Sequence, residues 1–433
     1  MSILKDKRIL LSVTGSIAAY KAGELVSKMT QAGARVDVIL TRAAEQFISP
    51  LTFASLSGRK AYTDSDLWGG ESHILHLGLG HSADLLLIAP ITANTMAKLA
   101  HGQANDLLSI TALAARCPIL VAPAMDVGMY ENIATQENVK TLKERGIFFA
   151  GPARGRMASG LEGLGRMVEP AEIIGEARRV LGLKHGKLAG KKIIITAGGT
   201  REAIDPVRFI SNRSSGKQGY ALAQAGVEAG AEVTLISTPT ALTPPIGVNV
   251  IWVQSAEEML NAVLAETDPK GFNPLSVKPS GTKALESTKI DALIMASAVA
   301  DFRPTQVADK KLKKRAGVPQ ITLEAAPDIL KRLASSKLRA SRPRIVVGFA
   351  AESRDLLSNA AEKIRSKKLD FIVANDISAK DAGFDVDKNR VTLLYPDGEK
   401  EEFSLRSKFG VAEIIIERVA KLLGETNARF GHL

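Results

Sequence analysis

Residues 8–40 read RILLSVTGSIAAYKAGELVSKMTQAGARVDVIL, and this stretch decides the fold. Its first apolar run is typical of a buried strand and ends at Gly15. Apolar residues with helical spacing follow, and a glycine turn leads into a second apolar strand, ARVDVIL. Strands that are apolar throughout and alternate with helices indicate a parallel sheet covered on both faces. The stretch therefore predicts the start of a doubly wound α/β sheet.

The same succession returns in the second half of the chain. IIITAGGT (193–200) is a strand ending in glycines, GKQGYALAQAGVEAG (216–230) has helical spacing, and AEVTLIS (231–237) is again a strand. A chain of 433 residues is also too long for one ordinary core. We predict an α/β protein of two doubly wound, Rossmann-like domains, 1–183 and 191–433, joined by a linker over 184–190.

Composition narrows the class of protein. The net charge of +11 attracts polyanions, but aromatic residues make up only 5% and do not interleave with basic ones. Phosphorylated small molecules fit this pattern better than nucleic acid, and a basic solvated surface explains it equally. A single cysteine, Cys117, excludes an intramolecular disulfide and any multi-cysteine metal site. No apolar run could span a bilayer and no signal peptide is evident, so we predict a cytoplasmic protein.

Two strand ends in the first half carry polar groups. A helix begins directly after Gly15, so its free N–H groups and the Ser16 hydroxyl form an anion site. The GxGxxG dinucleotide pattern is absent, which favours a ligand with one phosphate such as FMN, although a tight strand-to-helix turn is also consistent. Thr92, Asn94 and Thr95 begin a helix after the strand ADLLLIAP, and capping explains only one of the three.

The second half has no GxxxxGK[ST] motif, so a Walker-type ATPase is excluded. DPVRFISNRSSGKQG (205–219) instead offers Arg208, Asn212 and further donors just before a helix, which suits a phosphate or an oxyanion. The lysine run DKKLKKRAG (309–317) is either a solvated charge run or reaches phosphate oxygens. The polar stretch 266–288 is either a lid or a disordered loop.

Together these motifs resemble a known family. The first half, with GSIAAYK, TANT, PAMDVGMY and ASGLEGLGRM, is similar to the flavin-dependent cysteine decarboxylases. The whole chain, with TAGGTRE, DPVRFISNRSSGKQG, SAVADFRP, KLKK and GFAAES in its second half, resembles the bifunctional coenzyme A biosynthesis (Dfp) family. In that family a phosphopantothenoylcysteine decarboxylase is joined to a phosphopantothenate–cysteine ligase.

For the first half the resemblance implies a flavodoxin-like flavoprotein domain. FMN oxidises the thiol side of phosphopantothenoylcysteine to a thioaldehyde, carbon dioxide leaves, and the enethiol is reduced and protonated to 4'-phosphopantetheine. His76 matches the family's active-site histidine; the spacing of the histidines near it argues against zinc. The implied FMN-binding residues are Gly15, Ser16, Ile17, Thr41, Thr92, Ala93, Asn94, Thr95 and Ala124.

Two positions of the first half depart from the family pattern. Asp126 stands where the family has an Asn that holds the substrate carboxylate, and Ser159 stands where it has the Cys that donates the final proton. A serine hydroxyl is a far weaker acid than a thiol. Because two adjacent carboxylates force one pKa upward, our hypothesis is that Asp126 is protonated when substrate is bound and takes over proton donation. What Ser159 does beyond hydrogen bonding is left open.

For the second half the resemblance implies a Rossmann-like, CTP-dependent ligase. The 4'-phosphopantothenate carboxylate attacks the α-phosphate of CTP, and the amine of cysteine then displaces CMP from the acyl-cytidylate. Asn212 and Lys311 take catalytic roles, and Mg²⁺ neutralises the phosphates through ligands that the sequence does not reveal. The implied substrate-binding residues are Arg208, Asp301, Lys311, Pro327, Asp328, Ile329, Leu330, Phe349, Lys363 and Lys367.

Three alternatives compete with this interpretation. The first is a ligase with a flavin-binding but decarboxylation-deficient first domain. The second is a flavin-binding regulatory protein, which an intact ligase half argues against. The third and weakest is a nucleic-acid binder, whose affinity would fall steeply with salt. The resemblance also implies a homo-oligomer with sites at subunit interfaces and no membrane partner.

Overall fold

The structure is a computed structural model. It describes residues 3–68, 74–268, 289–313, 318–335, 341–352, 356–376 and 386–430. The chain divides into two compact units, Met1–His185 (unit 1) and Gly186–Leu433 (unit 2).

Unit 1 is built on a parallel sheet of six strands in the order β3-β2-β1-β4-β5-β6. These strands are β1 (Arg8–Val13), β2 (Arg35–Leu40), β3 (Ala61–Tyr62), β4 (Leu85–Ile91), β5 (Ile119–Pro123) and β6 (Phe148–Phe149). An antiparallel hairpin follows, formed by β7 (Ala153–Arg156) and β8 (Glu162–Arg166).

The helices of unit 1 cover both faces of the sheet. Alternate residues of β1 show this directly: Leu11 packs in one apolar cluster with α1, α2 and α8, and Leu10 packs in the other with α4, α5 and α7. The helices are α1 (Tyr20–Gln31), α2 (Pro50–Ser57), α3 (Leu75–Ser82), α4 (Ala93–Ala100), α5 (Leu107–Ala114), α6 (Val127–Glu131), α7 (Ile133–Glu144) and α8 (Pro170–His185).

Unit 2 has a sheet of eight strands in the order β13-β12-β9-β14-β17-β18-β19-β20. Pairing is parallel up to β18 and antiparallel between the last three strands. These strands are β9 (Lys192–Ala197), β12 (Glu232–Ser237), β13 (Asn249–Trp252), β14 (Ala292–Met295), β17 (Ile345–Glu352), β18 (Phe371–Asp376), β19 (Lys388–Leu394) and β20 (Lys400–Ser407). Two short ribbons stand apart, β10 (Arg201–Ala203) with β11 (Phe209–Ser211), and β15 (Phe302–Pro304) with β16 (Leu323–Ala325).

The helices of unit 2 also lie on both faces. One apolar cluster joins the sheet to α9 (Lys217–Glu228) and α13 (Lys408–Phe430), and the other joins it to α10 (Ala256–Thr267), α11 (Ile329–Leu333) and α12 (Leu356–Lys367). Helix α10 continues through Thr267, so the polar stretch predicted from residue 266 begins inside a helix. Residues 269–288, on which the lid or disordered-loop prediction falls, lie outside the described residues.

The predicted fold class is confirmed in both units. In unit 1 the six strands have the Rossmann order 3-2-1-4-5-6. If the two-residue edge strand β3 is left out and the other five are renumbered along the chain, the order is the flavodoxin order 2-1-3-4-5. The sequence-derived domain limits remain a prediction. Helix α8 continues to His185, two residues past the expected end of the first domain, and Lys184 Nζ donates to the carbonyl of Arg116 at 3.0 Å.

Candidate active sites

The loops that follow β1, β4 and β5 are joined by hydrogen bonds at the carboxyl edge of the unit 1 sheet. The Thr14 hydroxyl donates to the carbonyl of Pro90 at 2.8 Å and accepts from the N–H of Thr92 at 3.2 Å. The N–H of Ala124 donates to the carbonyl of Ile91 at 3.1 Å. Open α/β sheets bind their ligands at this edge, so three of the predicted FMN-binding segments are brought together where a ligand is expected.

The predicted FMN-binding hydroxyls also have local partners. Ser16 caps a short 3-10 helix over Ile17–Ala19, Thr41 accepts from the N–H of Ala44, and Thr92 caps α4 by accepting from the N–H of Thr95. Ser16 and Thr92 therefore cap helix starts at the edge of the sheet, and Thr41 fixes the turn after β2. Ile17 beside them is apolar yet 62% exposed. Asn94 is exposed on the first turn of α4.

Gly15 is required by close packing. A Cβ atom at this position would lie 2.5 Å from the Cβ of Ala43 in the loop after β2. Real Cβ atoms do not approach this closely, so only glycine lets the β1 loop pass the β2 loop.

The hairpin β7–β8 covers the loop after β5. The N–H of Met125 donates to the carbonyl of Gly165 at 2.9 Å, which fixes the base of the hairpin. At its tip, Ser159 Oγ donates to Asp126 Oδ2 at 2.5 Å. Asp126 also caps α6, because its Oδ1 accepts from the N–H of Gly128 at 3.1 Å. The two residues that depart from the family pattern are therefore in direct contact.

A lysine that the sequence analysis did not single out holds the end of this hairpin. Lys21 on α1 is buried, and its Nζ lies 2.9 Å from Glu169 Oε1 and 3.3 Å from the carbonyl of Met167. The hydrogen bond from Lys21 holds the pKa of Glu169 below its ordinary value, and Arg166 contributes in the same direction. Lys21 ends the GSIAAYK motif, so the loop that begins the anion site is linked to the hairpin.

His76 lies apart from this contact in the described part of unit 1. It is half-buried in the first turn of α3, just before β4, and the described residues give it no contact with Asp126 or Ser159. Its catalytic role stays a prediction.

Unit 2 has a cavity of about 630 Å³ at the carboxyl edge of its sheet. It is lined by the starts of α9, α11 and α13 and by the last two turns of α12. The predicted residues among its lining are Asn212, Asp301, Pro327, Asp328, Ile329, Leu330, Phe349, Lys363 and Lys367. Residues more than 150 positions apart in the chain therefore meet in one site.

Charged and amide groups in the cavity are held in fixed positions. Asp328 Oδ2 lies 2.9 Å from Lys367 Nζ, and its Oδ1 accepts from the N–H of Lys331 at the start of α11. Burial would raise the pKa of Asp328, but these partners hold it below the ordinary value. The Asn212 amide donates to the carbonyl of Val299 at 3.1 Å, which joins the donor-rich turn to the segment after β14.

Arg208 and Lys311 do not line this cavity. Arg208 donates through two guanidinium nitrogens to Oδ2 of the buried Asp205 and also donates to the carbonyl of Leu312 at 2.7 Å. Its hydrogen bonds hold the pKa of Asp205 far below the usual range. These bonds fix the beginning of the lysine run beside the β10–β11 ribbon, where Lys311 is exposed. Residues 314–317 of the run lie outside the described residues.

The rest of the cavity lining includes residues that were missed from sequence, among them two near helix starts and two on strands. Gln218 lies in the first turn of α9 and Lys408 starts α13, and Gln218 Nε2 donates to the carbonyl of Lys408 at 3.1 Å. Asn375 and Asn389 lie on β18 and β19, on the face that is otherwise apolar. Both are buried, and their side-chain oxygens have no partner among the described residues. An asparagine ending an apolar strand, as in FIVAND, was the signal available in the sequence.

The described residues contain neither a metal-binding cluster nor a membrane-spanning helix. No group of three or more His, Cys, Asp and Glu residues there could hold a metal ion. None of the helices in that part of the chain has the length and apolarity needed to cross a membrane.

Comparison with known proteins places both units. Residues 2–182 match the Flavoprotein family, and residues 188–271 and 281–423 match the DNA/pantothenate metabolism flavoprotein C-terminal domain. The fold and sites thus define a flavoprotein domain followed by a pantothenate-metabolism domain.

The full chain is 43% identical over 429 residues to the coenzyme A biosynthesis bifunctional protein CoaBC of Bacillus subtilis, covering 99% of this chain and 100% of the relative. The chain therefore belongs to the CoaBC family. Among solved structures, the C-terminal domain of a CoaBC protein is 38% identical and covers 55% of this chain and 99% of its own, with a TM-score of 0.43. A PPC decarboxylase mutant complexed with pantothenoylaminoethenethiol is 35% identical over 40% of this chain and 97% of its own, with a TM-score of 0.37.

Proposed function

We propose that this chain catalyses two consecutive steps of coenzyme A biosynthesis. Unit 2 joins 4'-phosphopantothenate to cysteine at the expense of CTP, and unit 1 decarboxylates the resulting phosphopantothenoylcysteine to 4'-phosphopantetheine. The observation that carries the proposal is 43% sequence identity to a bifunctional relative along the full length of the chain. It is supported by two separate candidate sites, one in each unit. Because the relatives are named as bifunctional, the ligase-only interpretation is not favoured.

FMN fits the edge of the unit 1 sheet by the chemistry of the groups there. Helix starts opened by Ser16 and Thr92 suit its phosphate, and the exposed apolar side chain of Ile17 suits a flat ring. Gly15, Thr41, the 92–95 turn and Ala124 complete the proposed binding set. When bound, FMN supplies the two-electron chemistry that turns the substrate thiol into an electron sink.

The remaining work of decarboxylation belongs to the chain's own groups. Asp126 faces the hairpin tip and, as a neutral carboxyl, donates a hydrogen bond to the substrate carboxylate. Ser159 joins the hairpin tip to Asp126 through a hydrogen bond. A closed hairpin also excludes water from the reacting carbons. His76 completes the proposed catalytic set.

In unit 2, the cavity positions nucleotide and acid for transfer at the α-phosphate. Lys363 and Lys367 provide positive charge, Phe349 a ring face, and the start of α9 a donor-rich wall beside Asn212. Mg²⁺, if it binds with the nucleotide, would neutralise the phosphate charge, and Asp301 is a carboxylate of the cavity lining that would be able to hold it. Arg208 and Lys311 act from the ribbon side of the site.

The test is a pair of assays on the purified full-length protein. With CTP, Mg²⁺, 4'-phosphopantothenate and cysteine, we expect CMP, pyrophosphate and phosphopantothenoylcysteine. With bound FMN and synthetic phosphopantothenoylcysteine, without CTP, we expect 4'-phosphopantetheine and carbon dioxide. Failure of the first assay would refute the ligase, and failure of the second would leave only the ligase.

Three further properties belong to the proposal. We infer a homo-oligomer, a cytoplasmic location, and small-molecule partners alone, without nucleic acid or membrane. A sedimentation measurement that gave a monomer would contradict the first. DNA binding that falls steeply with salt would contradict the last.

A further inference from the structure

The contact between Asp126 and Ser159 joins two segments that are 33 residues apart in sequence. Asp126 Oδ1 is occupied by the N–H of Gly128, which leaves Oδ2 as the oxygen able to hold a proton. Ser159 Oγ donates a hydrogen bond to that oxygen. Ser159 itself is exposed at the hairpin tip, so its hydroxyl is accessible to a ligand as well as to Asp126.

We propose that Asp126 and Ser159 form a single proton-donating pair, in which Asp126 stores the proton and Ser159 passes it to the substrate carbon. As the structure stands, the Ser159 hydroxyl donates to Asp126. Once carbon dioxide has left, the Asp126 proton no longer faces a substrate carboxylate, so Asp126 donates it to Ser159 Oγ and the Ser159 O–H turns toward the substrate. A serine then acts as a relay without having to be an acid of its own strength.

The steps of this relay balance. The O–H bond of Asp126 breaks as its proton moves to Ser159 Oγ, and the former Ser159 proton forms the new C–H bond of the product. The electron pair that reduces the enethiol is the one removed from the same substrate's thiol and held by the bound flavin. Asp126 ends as a carboxylate and is protonated again when the next substrate binds.

The chemistry also sets the timing of proton release. While the substrate carboxylate lies against Asp126, like-charge repulsion keeps a proton on the pair of carboxyl groups. Carbon dioxide leaves as a neutral molecule, so the repulsion ends and the proton stays on Asp126. The proton on Asp126 is then available to Ser159 at the stage that needs it. An amide at this position holds a carboxylate but stores no proton.

The inference rests on the proposed decarboxylase activity, and a single-turnover experiment separates the two. Full-length holoenzyme in excess is mixed anaerobically with phosphopantothenoylcysteine, and carbon dioxide, enethiol and 4'-phosphopantetheine are quantified by mass. The variants are Ser159→Ala, Asp126→Asn and the double variant Asp126→Asn with Ser159→Cys. Glu162→Gln, an exposed carboxylate on the same hairpin, is the control.

We expect Ser159→Ala to release carbon dioxide but to form 4'-phosphopantetheine at least about 10²-fold more slowly, with the enethiol accumulating. Asp126→Asn loses the same step, and the double variant regains it because a thiol supplies the proton. Wild-type rates of 4'-phosphopantetheine formation in Ser159→Ala or Asp126→Asn would overturn the pair. Absence of carbon dioxide from the wild type would instead overturn the decarboxylase itself.

A binding measurement tests proton storage without turnover. The alanine analogue of the substrate keeps the carboxylate but has no thiol to oxidise. Calorimetric titration in two buffers of different ionisation enthalpy should show proton uptake on binding to the wild type and to Ser159→Ala, and none with Asp126→Asn. Equal proton uptake in Asp126→Asn would place the stored proton elsewhere and refute the inference.

Discussion

At the residue scale, the hairpin over the decarboxylase site depends on positions that tolerate no side chain. Gly165 has φ +148°, and a Cβ there would lie 2.3 Å from the carbonyl oxygen of Met125. The hairpin can therefore hydrogen-bond to the loop after β5 only because residue 165 is glycine. The hydrogen bond between Met125 and Gly165 fixes the hairpin at its base and thereby sets the distance between Ser159 and Asp126 at the tip.

Gly165→Ala should lower decarboxylation by about 10²-fold, because a displacement of about 1 Å is enough for such a loss. Ligase activity, which belongs to the other unit, should stay unchanged. Gly155→Ala on the same hairpin is the matched control, since its Cβ would make an ordinary 3.4 Å contact with Arg166. Equal activity of the two variants would show that hairpin seating does not control the reaction.

Lys367 offers a corresponding test in unit 2. Its Nζ lines the cavity and lies 2.9 Å from Asp328 Oδ2. Because Lys367→Met removes a charged donor that would bind the nucleotide, this variant should raise KM for CTP about 10-fold or more. Lys331→Met, an exposed lysine on α11, should change KM less than about twofold. Initial rates over a range of CTP concentrations decide between them, and an unchanged KM in Lys367→Met would remove this residue from the CTP site.

At the element scale, helix starts are the parts of the fold that face ligands. The residues that cap these helices stabilise them and also position the groups of the site, as Thr92 does on α4. The neighbouring helix α5 is capped by Asp106, whose carboxylate accepts from the N–H of Ser109 at 2.7 Å and pairs with Lys98 Nζ at 2.6 Å. The pair ties the end of the Thr92 helix to the start of the next.

The Asp106 contacts predict a pH dependence of stability. Burial would raise the pKa of Asp106, but Lys98 and Ser109 hold it below its ordinary value. A carboxyl group whose folded-state pKa is lowered contributes stability above its unfolded pKa of about 4, and that stability is lost as pH falls through the folded pKa.

Asp106→Asn keeps a good cap and removes the charge. Urea unfolding of unit 1 should therefore show the wild type more stable than the variant at pH 6 by about 1 kcal/mol, with the difference shrinking as pH falls below about 4. A pH-independent difference would mean that the ion pair contributes nothing.

At the scale of the whole molecule, each unit has its own sheet, its own cores on both faces and its own site. Two chemistries can then be changed independently. The division after His185 also completes α8, whose last turn includes the hydrogen bond from Lys184 to Arg116.

Residues 186–433 expressed alone should keep ligase activity, and residues 1–185 alone should fold and bind FMN. A chain ending at 183 should have a lower melting temperature than one ending at 185, because it loses the Lys184 hydrogen bond. Circular dichroism measures the folding and the melting temperature of each fragment, and flavin absorbance measures FMN binding. Fragments that fail to fold separately would show that the two units depend on each other.

The sequence by itself determined the two doubly wound sheets, since apolar strands and amphipathic helices are written in local periodicity. It also determined the family, because many short motifs occur in order along the whole chain. Most predicted residues of unit 2 do line one cavity. The limits of elements were less certain: α10 runs into the stretch predicted to be a loop, because tertiary packing extends a helix that composition alone would end.

Only the tertiary structure decided which residues meet. The Ser159–Asp126 contact, the Lys21–Glu169 pair and the wall formed by Gln218, Asn389 and Lys408 join segments far apart in the chain. No local pattern encodes such distances, because they depend on how loops return across the carboxyl edge of a completed sheet. The same packing left Arg208 and Lys311 outside the cavity lining, since Arg208 is bound to Asp205 and Leu312. Sequence names the chemical groups, and the folded sheet brings them within bonding distance.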